Sequence, residues 1–318
     1  MALASDAAND GVSDAPAYAR YENLMSLSQA QHESLDCRLP GRQLVPLVVA
    51  SPHSGSLYPS DFLAQAAVSL AALRRAEDAF VDELFAGAPD LGIPLLAARF
   101  PRSYVDANRE PYELDPGMFD GPLPRGLNHR TTRVAAGLGM IPRVAASGEA
   151  IYRGRVSSKE IERRLETCWR PYHLTLSSLV EQTYAQFGGV LLIDAHSMPS
   201  SASGLGLREH GVDVVLGDNH GEACAPGFID GVERWLTAQG LRVRRNQPYA
   251  GGFTTQRYGR PGVGRHTLQI EINRALYMDE ARHTQLPTFG ATRRLMTGLL
   301  AEIGDLSTMQ FVRPLAAE

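Results

Sequence analysis

Four separated stretches of the chain carry a histidine or a carboxylate at the end of an apolar run, beside turn-forming residues. They are Val48–Gly55 with His53, the stretch around Asp78, Val190–Ser197 with Asp194 and His196, and His266–Asn273 with Glu271. In an α/β enzyme, strands bring such residues to a common edge and loops present them. Two imidazoles and one carboxylate, with a fourth position open to water, form the donor set of a catalytic zinc site. The ion lowers the pKa of its water, and a neighbouring carboxylate takes the proton and later passes it to a leaving amine. A His, Asp and Glu donor set without cysteine favours zinc, with manganese or cobalt as alternatives.

Taken singly, each residue also has an ordinary structural explanation. His53 sits in Ser51-Pro52-His53-Ser54-Gly55, where Pro52 stiffens the approach and Gly55 permits an unusual turn. A histidine there often only hydrogen-bonds its loop. The pair Asp194 and His196 suits either a ligand with a neighbouring acid or a structural pair. Asp78 suits the first turn of a helix, with Glu77 and Asp82 as solvated carboxylates. Glu271 has the strongest local argument. In a strand, Leu268, Ile270 and Ile272 share one face and Gln269, Glu271 and Asn273 the other. A polar row inside a buried sheet is costly without partners, so that face meets water or lines a polar site with Glu271 as base.

The elements that must position these residues alternate between strand and helix. Strands are expected over Leu44–Ala50, Ile93–Ala98, Val190–Ile193, Asp213–Leu216, Leu241–Arg244 and Leu268–Ile272. Helical spacing covers Asp61–Leu73, Asp78–Ala88, Phe228–Ala238 and Pro287–Ile303. It also covers Lys159–Phe187, where Leu174 belongs to the apolar stripe and Pro171 introduces a kink. This alternation predicts a three-layer α/β/α fold around a mixed, largely parallel sheet. Segment 102–155, rich in Pro, Gly, Arg and Asn, is expected to wall the active site. Residues 1–20 read as a flexible lead-in, and 21–318 as a single domain carrying that insertion.

Composition narrows the function class. The 318 residues are 44% hydrophobic and 21% charged, with a formal net charge of -4. That balance argues against a nucleic-acid partner. No apolar run approaches the roughly 20 residues that span a bilayer. Cys37, Cys168 and Cys224 are far apart and form no C-x-x-C pair, which argues against a disulfide framework or a thiolate zinc site and fits a reducing cytoplasm.

Taken together, the motifs resemble the N-formylglutamate amidohydrolases, the deformylases of bacterial histidine breakdown. The matching pieces are Pro52-His53-Ser54-Gly55 with Tyr58-Pro59, and Asp78 with Val81-Asp82-Glu83-Leu84. They continue with Arg102 and Asp106-Ala107-Asn108-Arg109, Tyr172-His173, and Asp194-Ala195-His196-Ser197. The last are Gln256-Arg257-Tyr258-Gly259-Arg260 and Gln269-Ile270-Glu271-Ile272-Asn273-Arg274. The resemblance implies a zinc-carboxypeptidase-like fold, one zinc ion, and hydrolysis of an amide close to a carboxylate. It implies His53 and His196 as ligands, Glu271 as general base, and Asn108-Arg109 as the pair that grips substrate or polarises its carbonyl. The related carboxypeptidase motif is His-x-x-Glu, but Ser56 stands third after His53. The carboxylate ligand must then come from elsewhere, and Asp78 is the candidate.

A substrate with one or two carboxylates is best held by guanidinium forks. Among Arg102, Arg109, Arg143, Arg153, Arg257 and Arg260, the first choices are Arg109 and Arg257, followed by Arg102 and Arg260. Arg102 could instead pair with Asp106 or Asp194. His220 is polar loop material within reach of such a pocket. A peptide or cell-wall carboxypeptidase would use the same ion, and a non-catalytic binding protein would have to lack the ion or the base.

Overall fold

A computed structural model describes residues 33–201 and 211–311. The expected lead-in, residues 1–20, lies outside this range. The strands are β1 (Leu35–Arg38), β2 (Leu47–Ser51), β3 (Leu95–Ala98), β4 (Val190–Met198), β5 (Val214–Gly217), β6 (Val243–Arg245) and β7 (Arg265–Asn273). They form one sheet in the order β1-β3-β2-β4-β7-β5-β6. Four neighbouring pairs are parallel; β1–β3 and β5–β7 are antiparallel. The central strands β2 and β4 are apolar along most of their length and buried on both faces, as a parallel sheet covered by helices requires.

The helices are α1 (Ser60–Gln65), α2 (Leu70–Arg74), α3 (Val81–Leu84), α4 (Thr132–Ala135), α5 (Lys159–Arg164), α6 (Arg170–Phe187), α7 (Pro226–Ala238), α8 (Phe253–Tyr258) and α9 (Phe289–Phe311). Two cores sandwich the sheet. Val48, Ala50, Val190 and Leu192 pack with Tyr172, Leu176 and Leu179 of α6. The alternate residues Val49, Leu191, Ile193 and Ile270 pack with α3, α7 and α9. This is the expected three-layer α/β/α arrangement. Among the described residues, no helix is long and apolar enough to cross a membrane.

Several elements differ from the sequence expectation. The stretch Asp61–Leu73 is two short helices, because Ser69 turns extended and its hydroxyl accepts from Ala72 N to start α2. Lys159–Phe187 runs as α5, a π-helical turn over Leu165–Trp169, and α6. The wider turn lies just ahead of Pro171, which lacks an N–H to donate. Leu174 is solvent-exposed, and Tyr172 and His173 occupy the buried face. Strand β4 does not stop at Ile193 but continues through Asp194 and His196 to Met198. The edge strand β1 and the hairpin Met278–Asp279 with Thr284–Gln285 have no sequence signal of their own.

Segment 102–155 is anchored to the body by one buried cation. The fully buried Arg164 at the end of α5 donates to Tyr104 O at 3.1 Å and to Tyr152 Oη at 2.7 Å. Its guanidinium carbon lies 4.1 Å from the Tyr104 ring centre. A desolvated guanidinium over an aromatic face is strongly held, and its loss leaves buried acceptors unpaired. Replacing Arg164 by Leu is expected to lower unfolding free energy by about 3 kcal/mol. Urea denaturation checks this; a change within measurement error would remove Arg164 as the anchor.

Candidate metal centre and substrate cavity

The central site lies at the C-terminal ends of the parallel strands β2, β4 and β7. His53 follows β2 by two residues. Its turn is fixed on one side by the Asp78 N–H donating to His53 O at 3.0 Å. On the other side, a Cβ at Gly55 would collide with the backbone of Arg99 and Phe100, so only glycine fits. Register places Asp194 opposite Gln269 and His196 opposite Glu271 across β4 and β7. Because alternate residues share a face, these four polar groups form one patch at the end of two neighbouring strands whose opposite face is apolar at Ile193, Ala195, Leu268 and Ile270.

Three of the ligand candidates converge. Ligand atoms of His53, Asp78 and His196 lie within 4.8 Å of one another, and all three residues are buried. Asp78 Oδ2 is 3.3 Å from His53 Nδ1 and 3.0 Å from His196 Nδ1. On the opposite ring nitrogens, His53 Nε2 is hydrogen-bonded to Asp106 Oδ1 at 2.8 Å, whereas His196 Nε2 lies 3.1 Å from Asn108 Nδ2 and 3.1 Å from Asp194 Oδ1, the second a charge contact without hydrogen-bond geometry. An outer carboxylate behind each imidazole fixes ring orientation and directs the inner nitrogen at an ion. His53 Nδ1 is buried without a hydrogen-bond partner, since its approach to Asp78 lacks hydrogen-bond geometry. A buried, unpaired nitrogen is costly, and a divalent cation among these atoms would satisfy it. The donor set fits a metal ion.

The electrostatics agree. Burial opposes the charged form of Asp78, but the two imidazoles outweigh it and hold the carboxyl well below its usual range. Burial likewise opposes charge on Asp106, where Arg109, Arg102 and His53 prevail and keep it ionised. His196 is held well above its ordinary range, because Asp194 and Asp78 outweigh the cost of burying the charged ring. Burial pushes the Glu271 carboxyl up to about 7, against the pull of His196. A carboxyl near neutrality beside a metal centre suits general-base work.

The centre opens into a cavity of about 560 Å³. Segment 102–155 supplies one wall, including Arg102, Asp106 and Arg109, and the turn Pro248–Gly252 supplies another. Arg102 Nε donates to Asp106 Oδ2 at 3.0 Å. Arg109 is braced by Leu138 O at 3.0 Å and Asn108 O at 2.7 Å, which leaves its outer edge facing the cavity. Asn108 is fully engaged: Oδ1 accepts from Thr254 N at 2.8 Å, and Nδ2 lies 3.3 Å from Asp194 Oδ2 and 3.1 Å from His196 Nε2. A Cβ at Gly252 would strike this amide. Its contacts brace the centre, and its side chain also lines the cavity.

The other expected residues lie elsewhere. Arg257 packs over Phe253 and Tyr258 on α8, and neither it nor Arg260 lines the cavity. Arg143 pairs with Asp115 and Arg153 donates to Ala66 O. His220 is an exposed turn residue with φ 56°. Glu77, expected in solvent, is 2% exposed and accepts from Tyr58 Oη at 2.7 Å and pairs with Arg74 and His283. Three arginines that sequence reading passed over do reach the cavity: Arg75, Arg133 and Arg274. Arg274 donates to Asp78 Oδ1 at 3.0 Å and to Ser197 Oγ at 3.1 Å, leaving Oδ2 for an ion.

Residues 45–278 match the family model for N-formylglutamate amidohydrolase. The N-formylglutamate deformylase of Pseudomonas putida is 31% identical over 266 residues, covering 81% of this chain and 93% of that one. The N-formylglutamate deformylase of Pseudomonas aeruginosa is 32% identical over 243 residues, covering 75% and 84%. The crystal structure of N-formylglutamate amidohydrolase from Ralstonia eutropha JMP134 superposes with a TM-score of 0.82 at 38% identity, covering 87% of this chain and 99% of that one.

His173 links α6 to the wall that carries Asn108. Its Nε2 lies 2.8 Å from Ala107 O and its Nδ1 lies 3.0 Å from Tyr258 Oη. A neutral ring donating to the carbonyl and accepting from the phenol satisfies both. Burial pushes its pKa down to about 4. The unfolded chain, with an ordinary histidine pKa of about 6.5, then takes up the proton first. Stability from His173 is complete above that value and falls as pH drops toward 4, by about 2 kcal/mol at pH 5. His173→Gln should lack this share of the acid-side loss when urea unfolding is compared at pH 7.5 and 5; an unchanged difference would refute it.

Proposed function

The chain belongs to the N-formylglutamate amidohydrolase family, and from that membership and the geometry of its centre we propose a zinc-dependent deformylase that converts N-formylglutamate, or a close N-acyl amino acid, to the free amino acid and a carboxylate. The observation that carries this reading is the convergence of His53, Asp78 and His196, with Glu271 one strand away at the His196 register position. A non-catalytic role would require loss of a ligand or of the base, and His53, Asp78, His196 and Glu271 are all present in the chain.

His53 Nδ1, His196 Nδ1 and Asp78 Oδ2 are the atoms that would hold the ion. A zinc ion there supplies Lewis acidity for the amide carbonyl and makes water nucleophilic near neutral pH. Glu271 takes the proton from the attacking water and delivers it to the departing nitrogen, a role supported by a carboxyl pushed up to about 7. Gln269 Nε2 donates to Glu271 Oε1 at 3.0 Å and holds that carboxylate in one rotamer. Arg109, braced by two backbone carbonyls, offers its free edge to a substrate carboxylate or to the oxyanion that develops as the carbonyl is attacked. Arg102 lies in the field of Asp106, Asp78 and Glu271 and adds positive potential at the same wall. Asp106, Asp194, Asn108 and Arg274 position the ligands, and Asp106, Asn108 and Arg274 also line the cavity. A cytoplasmic location accords with three free cysteine thiols.

Two outcomes test the reading. Glu271→Gln should lower kcat/KM for formate release by roughly 1,000-fold while bound metal is unchanged; near-normal turnover would remove Glu271 as base. Dialysis against a strong chelator should abolish deformylation and added zinc should restore it, whereas full activity in the chelated protein would refute metal dependence.

A further inference from the structure

We infer that Arg133 is the specificity-determining residue that holds the second carboxylate of a dicarboxylate substrate; this rests on the deformylase reading of the same site. Five guanidiniums line the cavity: Arg75, Arg102, Arg109, Arg133 and Arg274. Arg102 and Arg109 share Asp106, and Arg274 is neutralised by Asp78. Among the described residues, the side chains of Arg133 and Arg75 have no ion pair and no hydrogen-bond partner. Arg75 is exposed, whereas Arg133 is half-buried.

The backbone under Arg133 is fixed. Thr131 Oγ1 caps α4 by accepting from Val134 N at 3.0 Å and donates to Glu113 Oε1 at 2.6 Å. The Leu138 N–H donates to Arg133 O at 2.8 Å, and Leu138 O in turn braces Arg109. One turn therefore ties both arginines together, and the charge on Arg133 acts against that on Arg109. Glu113, an acid of this wall, accepts from Thr131 Oγ1 rather than pairing with Arg133. Among the described residues, Arg133 has no counter-charge of its own, and Arg109 shares its one carboxylate, Asp106, with Arg102, so this wall of the cavity calls for an anionic ligand. A substrate whose first carboxylate meets Arg109 would set its second against Arg133. Guanidinium suits this because its planar fork can bind a carboxylate through two parallel hydrogen bonds.

The test compares N-formylglutamate with N-formylglutamine, which has the same shape and no side-chain charge. Wild-type protein should prefer the former by about 100-fold in kcat/KM, and Arg133→Gln should erase that preference mainly through KM, with N-formylglutamine little affected. Equilibrium binding of glutarate against its monoamide, read by calorimetry on the same zinc-loaded proteins, should lose its discrimination in parallel. Arg133→Lys keeps charge without the fork and should retain only part of the preference; it also decides the matter should Arg133→Gln fail to fold. A variant that keeps full preference for the dicarboxylate, or that loses both substrates equally, overturns the proposal. Wild-type protein that binds glutarate through Arg133 but releases no formate would refute the deformylase reading and leave the carboxylate site standing.

Discussion

The site depends on the need to orient two buried imidazoles so that both present Nδ1 to one point. Each ring can do this only if its other nitrogen is held: Asp106 holds His53 Nε2 by a hydrogen bond, and His196 Nε2 sits between Asn108 Nδ2 and the charge of Asp194. Those carboxylates are themselves buried, at 2% and 0% exposure, so each needs compensation in turn. Arg102 and Arg109 supply it for Asp106, and Asn108 supplies part of it for Asp194. The Asp78 carboxylate faces the same demand and is divided between Arg274 on one oxygen and the imidazoles on the other. A chain of buried charge of this kind is stable only when every member is satisfied. His53 Nδ1 is the one ligand nitrogen left without a partner, and a cation at the centre would satisfy it; Asp194 Oδ1 likewise has no hydrogen-bond partner and rests on the charge of His196.

The rest of the fold serves that geometry. Parallel pairing of β2, β4 and β7 brings His53, His196 and Glu271 to one edge, and the alternation of side chains sends polar groups to one face and aliphatic groups to the other. The wall that carries Asp106, Asn108 and Arg109 has little regular structure, so its position is set by specific anchors. Arg164 fixes it near Tyr104 and Tyr152, His173 fixes Ala107, and the Gly252–Thr254 backbone closes on Asn108. Such anchors allow a loop-built wall to act as a rigid template.

Much of this was legible in the sequence where local pattern carried the information. The apolar runs marked the central strands, and the Leu268–Asn273 alternation put Glu271 on a polar face. His53 stood out just past an apolar strand and His196 where an apolar run turns polar, and the motif order pointed to the family. What sequence could not show came from contacts distant along the chain. Glu77 looked solvated because Tyr58 and His283, which bury it, lie far from it. Arg133 and Arg274 resemble any surface arginine until the fold brings them to the cavity. Arg257 and Arg260 sit in a matching motif, yet Arg257 packs on the rings of α8 and neither lines the cavity. The extension of β4 to Met198 was hidden because Asp194 and His196 break the apolar run, and they are tolerated in a buried strand only through partners on other elements.

The most direct test of the account is X-ray absorption at the metal edge of the purified, zinc-loaded protein. The structure predicts one ion per chain with two imidazole nitrogens and only oxygen otherwise, at about 2.0–2.2 Å. A sulfur shell, or loss of the imidazole signal in a protein that still deformylates substrate, would contradict it.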